Sequence, residues 1–126
     1  MRKLTSSLFI VLFAASSILE TNWAAAHGQF VSSNPKANSV VAKVPKLVWV
    51  EFDGNLITIA DKQTNFLTVK NSKGKELSDG EAFVSGARVS VNIKDRGANG
   101  KIKVSWRIVS EDGHPVSSYL TFTVRK

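Results

Sequence analysis

After residue 27, apolar and polar residues alternate along the chain with a period of two, which is typical of half-buried β-strands. The clearest example is residues 101–108, whose apolar side consists of Ile102, Val104, Trp106 and Ile108. Shorter segments with similar patterns are predicted as further strands at 29–33, 47–52, 57–60, 66–71, 87–93 and 119–124.

Turn-forming residues rather than helix caps separate these segments, for example Asp53-Gly54, Ser78-Asp79-Gly80 and Asp112-Gly113. About seven short strands without a long amphipathic helix predict an all-β domain, a single immunoglobulin-like antiparallel Greek-key β-sandwich. The predicted core consists of the inward-facing apolar residues Val48, Val50, Phe52, Val89, Val91, Ile102, Val104, Trp106, Ile108, Leu120, Phe122 and Val124.

Residues 1–26 do not follow this pattern. They combine Arg2 and Lys3, an apolar run at 8–15, and the small residues Ala24-Ala25-Ala26, in the order that a secretory signal peptide requires. The apolar run is much shorter than the roughly 20 residues of a membrane-spanning helix. The sequence therefore predicts a signal peptide at 1–26, which is cleaved, and an exported, periplasmic domain at 27–126.

The composition narrows the chemistry of this domain. The 126 residues include no cysteine, two histidines and one methionine, Met1. Disulfides, thiolate metal sites and redox dithiols are therefore excluded, and any metal must be held by nitrogen and oxygen. The net charge of +7 suits anionic partners, but the lysines are scattered and no basic cluster is interleaved with stacking aromatics. Nucleic acid is therefore not an expected partner.

Cleavage after Ala26 would make His27 the first residue of the domain. Its new α-amino group and its imidazole could then form a chelate on one metal ion. The second histidine, His114, lies in the turn Ser110-Glu111-Asp112-Gly113-His114-Pro115, where Gly113 permits a bend that lets Asp112 and His114 converge.

Together these groups offer three nitrogen donors and one carboxylate. Cu(II) favours such a set in a near-planar arrangement, whereas Zn(II) prefers a tetrahedron. We therefore predict one Cu(II) ion bound by His27, Asp112 and His114. No Cu(I) site is expected, because soft ligands are absent after Met1.

The region from residue 27 onwards resembles the CopC family of exported copper-binding proteins, which includes PcoC-like and YobA-like members. The matching segments are His27 with Phe30-Val31-Ser32-Ser33-Asn34-Pro35, then 45–56, and above all 103–116 with Asp112-Gly113-His114-Pro115. This resemblance implies a β-sandwich that binds Cu(II) through the same three residues and sequesters or delivers copper in copper homeostasis or resistance. It also implies a non-enzymatic, monomeric protein with a CopD-like inner-membrane copper transporter as a candidate partner.

This chain departs from the family pattern at two places. Some members carry a glutamate near the copper where this chain has Gly54, and Asp53, one position earlier, would point to the opposite face if the strand continued. Some members also carry a methionine-rich Cu(I) loop, which is absent here. Two other functions stay open from the sequence: a copper-dependent oxidative enzyme with a histidine-brace site, and a metal-free β-sandwich interaction module.

Overall fold

The computed structural model describes residues 28–126, so the predicted signal peptide and His27 lie outside the described residues. Within this range the secondary structure is entirely β, and no helix is long and apolar enough to cross a membrane. Its strands are β1 (Phe30–Asn34), β2 (Val40–Val41), β3 (Leu47–Phe52), β4 (Phe66–Asn71), β5 (Ser78–Ser85), β6 (Arg88–Ile93), β7 (Gly100–Val109) and β8 (Pro115–Val124).

The strands form two four-stranded sheets, with the orders β1-β3-β6-β5 and β2-β8-β7-β4. All pairs are antiparallel except β2 with β8. Apart from the short β2, this is the arrangement of an immunoglobulin sandwich, in which the first, second, fifth and fourth strands share one sheet. The predicted fold class is therefore confirmed.

Apolar side chains from both sheets fill the space between them. Every residue of the predicted core is buried. Six residues outside the predicted core set are also buried there: Val44, Leu56, Leu67, Val69, Leu77 and Ile93. Each fully buried aliphatic or aromatic side chain contributes about 1.5–3 kcal/mol relative to exposure, so this core can support the fold without a disulfide.

The predicted strand at 57–60 is wrong. Only isolated bridges form there, Leu56 with Ser110 and Ile59 with Lys62. The carbonyl oxygen of Ile57 instead accepts hydrogen bonds from the side chains of Thr64 and Asn65, at 2.8 and 2.7 Å. These local side-chain bonds compete with a strand ladder and hold the segment as a loop.

Strand β5 was not predicted, because Ser78-Asp79-Gly80 has the composition of a turn. In the structure these residues begin the strand, and the register shifts between Asp79 and Phe83. Gly80 has a φ of 70°, which glycine adopts without strain. The residues that suggested a turn therefore form an irregularity within a strand.

One end of the sandwich brings together three chain segments. Strands β7 and β8 pair without interruption from Gly100 with Val124 to Val109 with Pro115, so residues 110–114 form the turn at their tip. In the other sheet, Phe30 at the start of β1 pairs with Phe52 at the end of β3. The segments 28–29 and 53–54 therefore lie at strand ends close to the turn 110–114, which contains Asp112 and His114.

Candidate metal site

The turn between β7 and β8 fixes the carboxylate of Asp112. The backbone N–H of Gly113 donates to the carbonyl oxygen of Ser110 at 2.8 Å, and Gly113 has a φ of 80°. Within this turn, Asp112 Oδ1 accepts the Ser110 hydroxyl and the backbone N–H of His114, each at 2.9 Å. The carboxylate is therefore held by two donors from its own turn.

Asp112 and His114 are brought together as the sequence predicted. Asp112 Oδ2 lies 3.6 Å from His114 Nδ1. Bonds between a divalent transition-metal ion and a nitrogen or oxygen ligand are about 2.0–2.2 Å long. One such ion can therefore contact both Asp112 Oδ2 and His114 Nδ1 at this separation. The His114 side chain is 80% exposed and that of Asp112 23% exposed. A fixed oxygen thus faces an accessible nitrogen.

The turn also affects the charge of the oxygen donor. The backbone N–H of His114 and the Ser110 hydroxyl both bind the ionised carboxylate and lower the pKa of Asp112 below its ordinary value. Asp112 is therefore an anion across the whole neutral range, as a ligand for a divalent cation must be.

The first described residue lies directly beside this turn. Gly28 is buried, and a Cβ atom placed on it would lie 3.4 Å from Ser110 Oγ and 3.5 Å from Val116 Cγ2. Ser110 is the residue whose hydroxyl holds Asp112. Gly28 has a φ of 113°, a region that other residues rarely adopt. The segment that follows His27 in the sequence is thus packed against the Asp112 turn.

Asp53 also forms hydrogen bonds with the backbone of this segment. Its Oδ1 accepts the backbone N–H groups of Gly28 at 2.6 Å and of Gln29 at 3.0 Å. The prediction that Asp53 would point away depended on continuation of the strand, but β3 ends at Phe52. Sequence reasoning treated Asp53 only as a doubtful copper contact and missed these hydrogen bonds.

A group of three aromatic rings lines a cavity together with Gly28 and Gln29. The ring of Trp106 stacks on Phe30 with centroids 6.0 Å apart and meets Phe52 edge-on at 5.9 Å. Trp106 is only 6% exposed, which supports its predicted role in packing. These rings connect β7 in one sheet to β1 and β3 in the other.

The described residues supply two of the three predicted ligand side chains. Asp112 and His114 lie together, whereas His27 lies outside the described range. Within residues 28–126, no group of three or more histidine and carboxylate side chains is placed to hold a metal ion. The predicted three-residue site therefore depends on His27 and stays a prediction.

Known proteins resemble this chain over nearly all of the described region. A family model for the CopC domain matches residues 30–125. Copper resistance protein C of Pseudomonas syringae pv. tomato is 31% identical over 126 residues, covering 97% of this chain and 98% of that protein. Copper resistance protein C of Escherichia coli is 32% identical over 111 residues, covering 81% and 84%.

Two further comparisons concern a longer relative and a solved structure. Copper transport protein CutJ of Bacillus subtilis is 26% identical over 122 residues, which are 94% of this chain but 20% of CutJ. The chain thus spans about a fifth of the length of that relative. The crystal structure of CopC from Methylosinus trichosporium OB3b superposes with a TM-score of 0.65 at 27% identity, covering 78% of this chain and 93% of that one.

Proposed function

This chain belongs to the CopC family, and we propose that it is an exported, periplasmic protein that binds one Cu(II) ion and sequesters or delivers it. The observation that carries this proposal is the pairing of Asp112 Oδ2 with His114 Nδ1 at 3.6 Å, beside the buried Gly28. Two relatives that match most of this chain are named copper resistance proteins, which supports a role in copper homeostasis or resistance.

His27 completes the proposed ligand set. It directly precedes Gly28 in the sequence, and Gly28 packs against Ser110. After cleavage at Ala26, the α-amine and imidazole of His27 would be available next to the Asp112 and His114 donors. Three nitrogens and one oxygen then suit the tetragonal geometry of Cu(II).

The proposed role is that of a carrier rather than an enzyme. A copper enzyme that activates oxygen needs an open coordination position, whereas the carboxylate of Asp112 is fixed by two hydrogen bonds next to His114 and can supply a fourth donor. The names of the matched relatives refer to resistance and transport. Both observations favour binding and transfer of the ion.

A membrane copper transporter is the proposed partner of a monomeric carrier. In CutJ, a copper transport protein, the region similar to this chain makes up 20% of the protein. A domain of this kind therefore occurs within a longer transport protein, which supports transfer of copper from this chain to a CopD-like membrane protein.

The mass of the exported protein tests the proposed function. We expect a chain that begins at His27 and retains one copper ion per molecule after dialysis, measured by native mass spectrometry with and without added Cu(II). A chain that begins elsewhere would contradict the terminal chelate. A chain that begins at His27 but retains no copper would favour the metal-free interaction module.

Copper affinity is expected to fall as the pH is lowered from about 8 to 5. Protons compete with the metal ion for amine and imidazole nitrogens, and free groups of these two kinds have reference pKa values of about 7.7–8.0 and about 6.5. The pKa of Asp112 is lowered, so its carboxylate takes up no proton in this window. Competitive titrations at successive pH values would measure the slope.

The Asp112→Asn variant is the matched control for this titration. Its affinity should fall with the same slope as that of the unchanged protein, because the replaced carboxylate does not titrate between pH 5 and 8. An affinity that is independent of pH in this window would show that the nitrogens are not the ligands.

A further inference from the structure

We propose that Asp53 is a positioning residue for copper binding, because its carboxylate fixes the backbone that carries His27. This inference rests on the proposed function. It assigns to Asp53 a role other than that of a direct copper contact.

The hydrogen bonds between Asp53 and this backbone run in both directions. Asp53 Oδ1 accepts the N–H groups of Gly28 and Gln29, at 2.6 and 3.0 Å, and the backbone N–H of Asp53 donates to the carbonyl oxygen of Gln29 at 3.0 Å. The first two are charge-assisted bonds to a carboxylate, which are stronger than bonds between neutral groups. Three hydrogen bonds therefore connect the backbone of residues 28 and 29 to Asp53.

The backbone of this segment is shaped to receive an anion. Two consecutive N–H groups can point at one oxygen only if the chain leaves the extended conformation, in which successive N–H groups face opposite ways. The φ of 113° at Gly28 provides that departure. Consecutive N–H groups in such a concavity form an anion-binding nest, and Oδ1 of Asp53 occupies it.

The segment would lose much of this order without Asp53. The first residues of a domain are poorly ordered unless hydrogen bonds or packing tie them down. Here a Cβ atom placed on Gly28 would lie 3.4–3.5 Å from side-chain atoms of Ile108, Ser110 and Val116, so this side of Gly28 faces the Asp112 turn. Asp53 thus holds the segment in the orientation that keeps it against the turn.

A preorganised ligand binds more tightly, because the ordering entropy is not lost at the moment of binding. Residues that orient metal ligands through hydrogen bonds commonly change metal affinity by about 10–100-fold when replaced. We expect an effect of this size at Asp53, even though its carboxylate is directed at backbone N–H groups.

The test compares Cu(II) affinity among variants of the mature protein by competition with a chelator of known affinity. Asp53→Ala removes the oxygen that accepts both N–H groups and should weaken binding about 10–100-fold. Asp53→Asn keeps an oxygen acceptor but loses the charge, so its affinity should lie between that of Asp53→Ala and that of the unchanged protein. Asp53→Glu keeps the charge but displaces the oxygens, so it should weaken binding and provides a second test if the alanine variant does not fold.

Asp95→Ala is the matched control. Asp95 Oδ1 likewise accepts a backbone N–H, that of Gly97 at 3.1 Å, and its carboxylate is paired with Lys75. Because Asp95 lies outside the Asp112 turn and the Gly28 segment, its loss should leave Cu(II) affinity unchanged. Copper EPR spectra should change in Asp53→Ala and be unaltered in Asp95→Ala.

The outcomes separate this proposal from the proposed function. If the unchanged protein binds Cu(II) and Asp53→Ala binds it equally well, the positioning role is overturned while the carrier function stands. If Asp53→Asn loses as much affinity as Asp53→Ala, the charge itself is required, and Asp53 is a ligand or charge partner rather than a positioning residue. If the unchanged protein binds no Cu(II), both proposals fail.

Discussion

A protein with one residue added before His27 is expected to bind Cu(II) at least about a hundredfold more weakly, since loss of one linked contact commonly costs a factor of 10²–10⁴. The added residue converts the α-amine of His27 into an amide, whose nitrogen can bind Cu(II) only after its proton is displaced, and so breaks the terminal chelate of amine and imidazole. A competition titration of the two mature forms measures the difference.

The same residue added after Lys126 is the control for this experiment, and it should change neither affinity nor fold. Both extended proteins should keep the melting temperature of the unextended form, because the core and the two sheets do not involve the added residue. An extension before His27 that leaves the affinity unchanged would exclude the α-amine as a ligand.

Replacement of His114 by alanine is expected to weaken Cu(II) binding by a similarly large factor, about 10²–10⁴. It removes one of three nitrogen donors and leaves the terminal chelate with a single carboxylate. Because the His114 side chain is 80% exposed, its loss creates no cavity, and the fold should be preserved. Circular dichroism and the same competition titration would check both statements.

The Asp112→Asn variant should bind Cu(II) more tightly than His114→Ala. Its amide oxygen can still approach the ion but lacks the charge that offsets Cu(II). A freed coordination position should then let azide bind and change the copper EPR spectrum. Glu111→Gln, an exposed neighbour in the same turn, should behave like the unchanged protein.

Azide binding also distinguishes a carrier from an oxidative enzyme. If the unchanged protein binds azide as readily as Asp112→Asn does, Asp112 does not fill the coordination plane. The carrier proposal would then lose its main support, and assays of oxygen activation would follow.

The strands that could be predicted are those whose two faces differ in environment. In β7, Ile102 and Val104 face the core while Lys101 and Lys103 face solvent, so the alternation appears directly in the sequence. Strand β5 is largely exposed on both faces and has a glycine near its start, so its sequence shows no clear alternation of apolar and polar residues. At 57–60 the apolar residues suggested a strand. The side chains of Thr64 and Asn65, seven and eight residues away, instead donate hydrogen bonds to the backbone carbonyl of Ile57.

The part of the site that depends on local sequence could likewise be predicted, whereas the part that depends on distant contacts could not. Asp112 and His114 are two residues apart in a turn, so their convergence follows from local geometry. Asp53 contacts the Gly28 backbone 25 residues away, and a hydrogen bond to a main-chain N–H involves no partner side chain that a sequence pattern could reveal. Its role also depends on β3 ending at Phe52, which alternation alone could not determine.

The candidate site spans the two sheets of the sandwich. Gly28 leads into β1 of one sheet, whereas the Asp112 turn joins β7 and β8 of the other. A copper ion shared by His27, Asp112 and His114 would therefore cross-link the two layers between positions about 85 residues apart, which restricts the unfolded chain.

Binding to the folded form alone would add about 4 kcal/mol to the free energy of unfolding when free copper is a thousandfold above the Kd. The loaded carrier would then resist unfolding and proteolysis, whereas a molecule that has delivered its ion would be the form most easily opened and degraded. The rate at which the protein is degraded would then depend on how much of it holds copper.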